Sequence, residues 1–336
     1  MPNIAVISVA HIHSDGFCKT LCEATAQKRP HVIWDEDPRR GAQYAEKFNT
    51  RFEPDLAAVV ADPAVDGFLV CAENTRHLPL LRKVLPVGKP VMCEKPLATS
   101  TADVDEMLDL AARHHTPLIS GYMQPFFPPN RAAKKAIADG SLGKVTHLNF
   151  RNAHHAAYGR WFDNPQLAWF TDPALAGGGA LLDMGTHAVH LLCHLGGRVE
   201  AVWGHAANVS GIYPDVDDYG LILMRFASGV MGRVEAGWVF TGGNGGLEVI
   251  GSEKSIWQSD GKLVMGGPGK PAEPLADAWA RSLAGSRPDR VHRLIAVVKG
   301  GVAKEELDED LAACAGAVRV MDAAYASAKT GGWVRL

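Results

Sequence analysis

Residues Val65 to Pro96 read VDGFLVCAENTRHLPLLRKVLPVGKPVMCEKP. An apolar run from Gly67 to Ala72 leads into helical spacing from Arg76 to Leu85, and a second apolar run follows from Pro90 to Cys93. Strand, helix, strand is a βαβ unit, which lays its two strands parallel in one sheet. The alternation extends outward in both directions. Upstream, Ile4 to Val9 reads as a strand, Ser14 to Gln27 as a helix, His31 to Asp35 as a strand, and Arg39 to Phe48 and Asp55 to Ala61 as helices. Downstream, Thr101 to His114 is a capped helix and Pro117 to Gly121 a last buried strand. Such a run predicts a doubly wound parallel sheet of the Rossmann type.

After Gly121 the texture changes. Gln124-Pro125-Phe126-Phe127-Pro128-Pro129-Asn130 breaks the alternation, and longer strands follow at Lys144 to Asn152, Ala201 to Val209, Tyr219 to Phe226 and Val230 to Val239. Successive long strands predict a second α/β domain built on a large, mostly antiparallel open sheet. The Gly242 to Gly246 stretch suits a hairpin turn or a loop, and Glu309 to Lys329 reads as a packing helix. The expected division is residues 1–121 for dinucleotide binding and 122–336 for substrate binding and oligomerisation.

The 336 residues carry a formal charge of -3, with 34 basic and 37 acidic side chains. That balance gives no electrostatic case for nucleic acid or an anionic membrane as partner and suits a small neutral substrate. Charges interrupt every apolar run before it could span a bilayer, and the first residues enter a strand without a basic stretch, so a cytoplasmic location is expected. The six cysteines show no framework or zinc spacing.

In a dinucleotide fold the first strand-to-helix turn carries glycines that let backbone amides approach a pyrophosphate. Here the turn reads Ser8-Val9-Ala10-His11-Ile12-His13-Ser14-Asp15-Gly16, with small residues at Ser8 and Ala10 and a late glycine. His11 and His13 would line the pyrophosphate or substrate side of the cleft. Asp35 ends the second strand roughly 20 residues on, where a carboxylate can accept hydrogen bonds from a ribose hydroxyl. It favours NAD over NADP, a preference that the nearby Arg39 and Arg40 weaken.

Asn-x-x-His at Asn74 to His77, Gly-Lys-x-Val and then Glu94-Lys95-Pro96 make one block, and Gly177-Gly178-Gly179-Ala180-Leu181-Leu182-Asp183-Met184-Gly185-Thr186-His187 makes a second. With these two blocks in order, the chain resembles the glucose-fructose oxidoreductase and inositol dehydrogenase family, also called the MocA family. The resemblance implies an NAD(P)-dependent oxidoreductase acting on a sugar, cyclitol or related polyol, with dimers or tetramers formed through the second sheet. It also implies that Lys95 lies beside the reacting carbon in contact with cofactor and substrate, that the Lys95-Pro96 bond is cis, and that Glu94, Asn74 and His77 lie on the cofactor side. Glu73 stands where the family commonly has a small residue or proline.

Asp183 and His187 are four apart and share a helix face, and the glycines before them would let a substrate or nicotinamide approach the helix start. Oxidising an alcohol needs a base for the hydroxyl proton, a task suited to His187, while Asp183 would orient the hydroxyl and Lys95 would stabilise charge on oxygen. Trp161, Phe162, Trp169 and Phe170 form an aromatic segment that could equally wall a sugar site by stacking or be core, with Trp161 the candidate substrate contact. His190 and His194 continue the Asp183 and His187 row and read as packed histidines. No bound metal is expected. Two rival readings stand beside this one: a sugar- or nucleotide-sensing protein of the same fold without turnover, and a metal-dependent hydrolase built on His11 and His13.

Overall fold

The computed structural model describes residues 2–243, 245–259, 261–275 and 290–336. They form two compact units that divide first after Tyr122, and the chain re-enters the first unit for Phe162–Gly177 and again for a stretch ending at Ala315. The two domains are therefore not consecutive halves of the sequence.

The first unit holds six parallel strands: β1 (Ile4–Ile7), β2 (Val32–Trp34), β3 (Arg51–Phe52), β4 (Gly67–Val70), β5 (Val91–Cys93) and β6 (Leu118–Ser120). Their order is β3-β2-β1-β4-β5-β6, the 3-2-1-4-5-6 arrangement of dinucleotide folds. Five of the strands are the apolar runs expected from sequence. The sixth, β3, is a two-residue edge strand whose Arg51–Phe52 offers no apolar run to read. Helices α1 (Ser14–Ala24), α2 (Pro38–Lys47), α3 (Leu56–Ala61), α4 (His77–Val84) and α5 (Thr101–Arg113) make the crossovers. The core joins Ile4, Val6, Ile33, Leu69, Met92 and Ile119 of the sheet to Phe17 and Leu21 of α1, and to Val291, Leu294 and Ile295 of a helix at Arg290–Val298. That late helix completes the sandwich over the sheet. An eight-stranded barrel, which the metal-hydrolase reading requires, is not this fold.

The second unit contains α6 (Pro128–Ala138) and nine strands: β7 (Val145–Ala153), β8 (Val199–Ala207), β9 (Tyr219–Phe226), β10 (Met231–Gly237), β11 (Gly246–Gly251), β12 (Ser255–Ser259), β13 (Lys262–Gly266), β14 (Glu273–Pro274) and β15 (Val334–Arg335). Their order is β14-β13-β12-β11-β7-β10-β9-β8-β15, antiparallel throughout except for the β7–β10 pair. The Gly242 to Gly246 stretch does not close a hairpin, because β10 and β11 lie on opposite sides of β7. Its central residue, Asn244, lies outside the described residues. A short α7 (Pro173–Ala176) closes the first unit's returning segment, and α8 (Ala180–Gly196) packs on β7, β9 and β10. Among the described residues no helix is long and apolar enough to cross a membrane.

Candidate active site

The carboxyl ends of β1, β2, β4 and β5 carry most of the residues singled out in the first unit. Ser8 adopts a left-handed backbone, φ 65°, a conformation that glycine takes without strain. It is held there by its own amide, which donates to Trp34 O at 2.8 Å. The next amide, Val9 N, donates to Asp35 Oδ2 at 2.7 Å. Ala10 is small and buried, and its carbonyl accepts from the Trp169 indole at 3.2 Å. The turn keeps a glycine loop's conformation with other residues. Helix α1 then starts without a side-chain cap, and exposed Gly16 opens on empty space. An uncapped helix start after such a turn fits the pyrophosphate of a dinucleotide.

The first loop's histidines do not project as a pair. His11 is buried against Trp169 and Phe170, at ring distances of 5.7 and 5.5 Å. Its Nδ1 accepts the His13 amide at 3.2 Å. His13 is half-buried, with Nδ1 3.2 Å from Glu94 Oε1. The donor atoms of His11, His13 and Glu94 lie within 4.8 Å of one another, close enough to suggest a metal centre. The positive charge at that point, however, belongs to Arg290. Its Nη1 donates to Glu94 at 3.2 and 3.3 Å and to Gly121 O at 3.2 Å, and stands 3.1 Å from His13 Nδ1. The guanidinium also lies 4.6 Å over the Phe17 ring. Burial pushes the Glu94 carboxyl up, but Arg290, with His13 and His11, outweighs it and holds the group well below the usual carboxylate range. Sequence reasoning missed Arg290, which stands 196 positions from Glu94.

Lys95 follows directly, buried at 3% exposure, and its bond to Pro96 is cis. Asn74 is buried too, its amide donating to Ala176 O at 2.8 Å. His77 turns fully inward: Nδ1 lies 2.9 Å from Pro96 O and Nε2 3.3 Å from Ala72 O. Burial lowers its pKa, so the neutral ring ties the end of β4 to the Lys95–Pro96 turn. His77 and Glu94, both expected on the cofactor side, are both fully buried in the structure.

In the second unit, Asp183 and His187 share the one partly open face of α8. Between Ala180 and Cys193 only Asp183, Met184 and His187 escape full burial. The indole of fully buried Trp238 donates to Asp183 Oδ2 at 3.0 Å, and Asn152 donates to Met184 O at 2.8 Å. Nothing in the local sequence flagged Trp238, which arrives from just beyond β10. His190 is a packed histidine, its pKa pushed down to about 3 by burial and by His194.

The glycines before α8 serve a purpose different from the expected one. A Cβ on Gly179 would stand 2.0 Å from the Asp217 carbonyl oxygen. That close approach lets Asp217 take the helix start: its carboxylate accepts from Gly179 N at 3.1 Å and Leu181 N at 2.7 Å, and its carbonyl from Ala180 N at 2.7 Å. The Tyr325 hydroxyl accepts from Leu182 N at 3.1 Å and donates to Asp217 at 2.8 Å. The amides of this helix start are satisfied from within the chain, not kept for a substrate or nicotinamide.

Of the aromatic segment, Phe162, Trp169 and Phe170 are core. Trp161 is 40% exposed and lies 4.8 Å from the His154 ring.

A six-stranded parallel sheet with an uncapped first helix, joined in one chain to a largely antiparallel unit bearing Asp183 and His187, defines a two-domain, nicotinamide-type oxidoreductase class. The chain belongs to the GFO/IDH/MocA family: residues 3–122 match its oxidoreductase domain with NAD-binding Rossmann fold, and residues 130–257 match its C-terminal domain. NAD is the cofactor of that first domain.

Among curated relatives, the 2,7-anhydro-N-acetylneuraminate hydratase of Mediterraneibacter gnavus is 30% identical over 222 residues, 64% of this chain and 56% of that protein. The levoglucosan dehydrogenase of Pseudarthrobacter phenanthrenivorans is 28% identical over 252 residues, 67% and 63% of the two chains. Inositol 2-dehydrogenase 2 of Saccharopolyspora erythraea is 27% identical over 255 residues, 74% and 69%. The chain thus spans between 56 and 69% of these relatives' length. A levoglucosan dehydrogenase solved with NADH and levoglucosan shares the fold, with a TM-score of 0.79 at 21% identity over 99% of each chain.

Proposed function

We propose that this chain transfers a hydride between NAD and a hydroxyl or carbonyl carbon of a sugar, cyclitol or related polyol. The observation that carries the reading is Asp183, fixed by the buried Trp238 indole one helical turn from His187 on an otherwise buried helix. A carboxylate so fixed can hold a substrate hydroxyl in a single orientation, and the imidazole beside it can take that hydroxyl's proton. The nicotinamide, when bound, accepts the hydride. Lys95 supplies positive charge for the oxygen as its proton leaves. Exposed Trp161 offers a flat face for a pyranose or cyclitol ring. Relatives named for levoglucosan and inositol support this substrate class. We assign Ser8, Ala10, Asn74, Glu94 and Lys95 to the cofactor side, with His11 and His13 shaping the loop beneath it. The outer face of the second unit's sheet is the surface proposed for a homodimer or homotetramer, to be checked by light scattering.

The test is a panel of sugars and cyclitols, followed by the appearance of reduced nicotinamide. His187→Ala and Lys95→Ala should each cut turnover by about 10²- to 10⁴-fold while cofactor affinity stays near the wild-type value. Wild-type turnover in either variant would sink the role given to that residue. Tight NADH binding without hydride transfer across the whole panel would favour the sensor reading.

A further inference from the structure

Five charged side chains meet where β2 and β4 end, on either side of β1. Asp35 is fully engaged by its own chain. Oδ2 accepts from Val9 N at 2.7 Å and lies 3.4 Å from Ser8 Oγ; Oδ1 accepts from Asp37 N at 2.8 Å; the Arg40 guanidinium binds both oxygens at 2.8 to 3.1 Å. Those donors saturate a carboxylate. Arg39, the other arginine of this turn, is 91% exposed and pairs only loosely with Asp37, at 3.8 Å. The ribose-reading position expected of Asp35 is thus taken by a clamp on the first loop.

The clamp continues into a second layer. Arg40 Nη1 lies 3.7 Å from Glu73 Oε1, Arg76 Nε lies 3.8 Å from Glu73 Oε2, and Arg76 also pairs with Glu36. Three carboxylates face two guanidinia. The excess negative charge is not discharged internally, because Oε2 of Glu36 and Oε2 of Glu73 have no hydrogen-bond donor among the described residues. Burial and the charge of Glu36 raise the Glu73 pKa above the usual carboxylate value, in keeping with that crowding.

The crevice outside these strand ends is where a Rossmann sheet receives the adenosine ribose. A 2′-phosphate there needs free guanidinium groups; Arg40 and Arg76 are already neutralised, and exposed Arg39 stands outside the clamp. We propose that Glu73 is a specificity-determining residue: by holding Arg40 and Arg76 together with Asp35 and Glu36, it makes the ribose end of this crevice select NAD over its 2′-phosphorylated form. The inference rests on the oxidoreductase reading and sharpens it. It also gives the departure at position 73 a purpose.

The experiment is fluorescence titration of the purified full chain with NADH and with NADPH. Wild type should favour NADH. Glu73→Gln should strengthen NADPH binding about tenfold, the size of one charge-assisted hydrogen bond, and leave NADH binding nearly unchanged. Glu73→Pro, which the backbone φ of -62° accommodates, should move the ratio the same way and guards against a folding defect peculiar to glutamine. An unchanged NADPH:NADH ratio in variants that bind NADH normally, or a wild type that prefers NADPH, overturns the proposal and leaves the oxidoreductase reading intact. Binding of neither cofactor to folded wild-type chain, freed of any retained cofactor, would remove both.

Discussion

Two helices in this molecule begin beside a stretch where glycine matters, and they treat it in opposite ways. Helix α1 starts after a turn that lacks the expected glycines, yet Ser8 holds the left-handed backbone and the helix start stays uncapped. Helix α8 follows three glycines in a row, yet its first amides are consumed by Asp217 and Tyr325. Glycine content and an available helix terminus are thus separable properties. At α1 the first amide, Ser14 N, donates to His11 O but the N-cap residue supplies no side-chain acceptor; at α8 a close backbone approach delivers Asp217 to the first amides. At α8 glycine serves that approach, and at α1 a network of side chains replaces it.

The contrast makes Arg290 the residue on which the first loop should depend most. Removing its side chain leaves Glu94 buried without its principal counter-charge, which for a buried pair costs about 3–5 kcal/mol. Arg290→Ala should therefore show a large loss in chemical denaturation at neutral pH. Glu94's folded-state pKa is depressed, so its stabilising contribution is complete above the unfolded value, about 4.3, and is lost as pH falls through the folded one. The gap between wild type and variant should accordingly be widest near neutrality and shrink below about pH 4. A small gap that does not change with pH would mean that the loop keeps its shape without this clamp.

At α8 the corresponding test is steric. Gly179→Ala drives a Cβ against the Asp217 main-chain oxygen and should cost about 1–3 kcal/mol through forced backbone movement. Gly16→Ala at the start of α1 meets nothing within 4 Å and should gain up to about 1 kcal/mol from helix propensity. Equal effects at the two sites would erase the distinction between a glycine kept for close approach and one that is not.

The legibility of these features from sequence follows the same line. Lys95, Asp183 and His187 could be read because they sit in short blocks at fixed spacing, and the parallel sheet could be read because each buried strand is a local apolar run. Arg290, Trp238, Asp217 and Tyr325 could not. Each reaches its partner across scores of residues, Trp238 standing 55 positions from Asp183 and Tyr325 standing 108 from Asp217, and none lies in a motif of its own. Other features were hidden for the same reason. Histidine at position 77 was legible as part of a motif, but its inward turn depends on the carbonyls of Pro96 and Leu97. The aromatic segment looked like a substrate wall or core with equal force until the chain's re-entry into the first unit set Trp169 against the Ala10 carbonyl.

The smallest effect is the most direct measure of what the missing glycine costs. At Ser8 the left-handed backbone stores about 1 kcal/mol relative to glycine. The hydroxyl returns little of it, since its contact with Asp35 is 3.4 Å long, beyond the usual range for such a bond. Ser8→Gly should therefore stabilise the chain by about 0.5–1 kcal/mol and leave NADH affinity unchanged. A loss of stability would reverse the accounting, because the serine hydroxyl would then be a working part of the Asp35 clamp. The turn would in that case require its serine to hold Asp35 against Val9 and Arg40, and the absence of glycine would be a condition of the loop's structure, no longer a departure the loop merely tolerates.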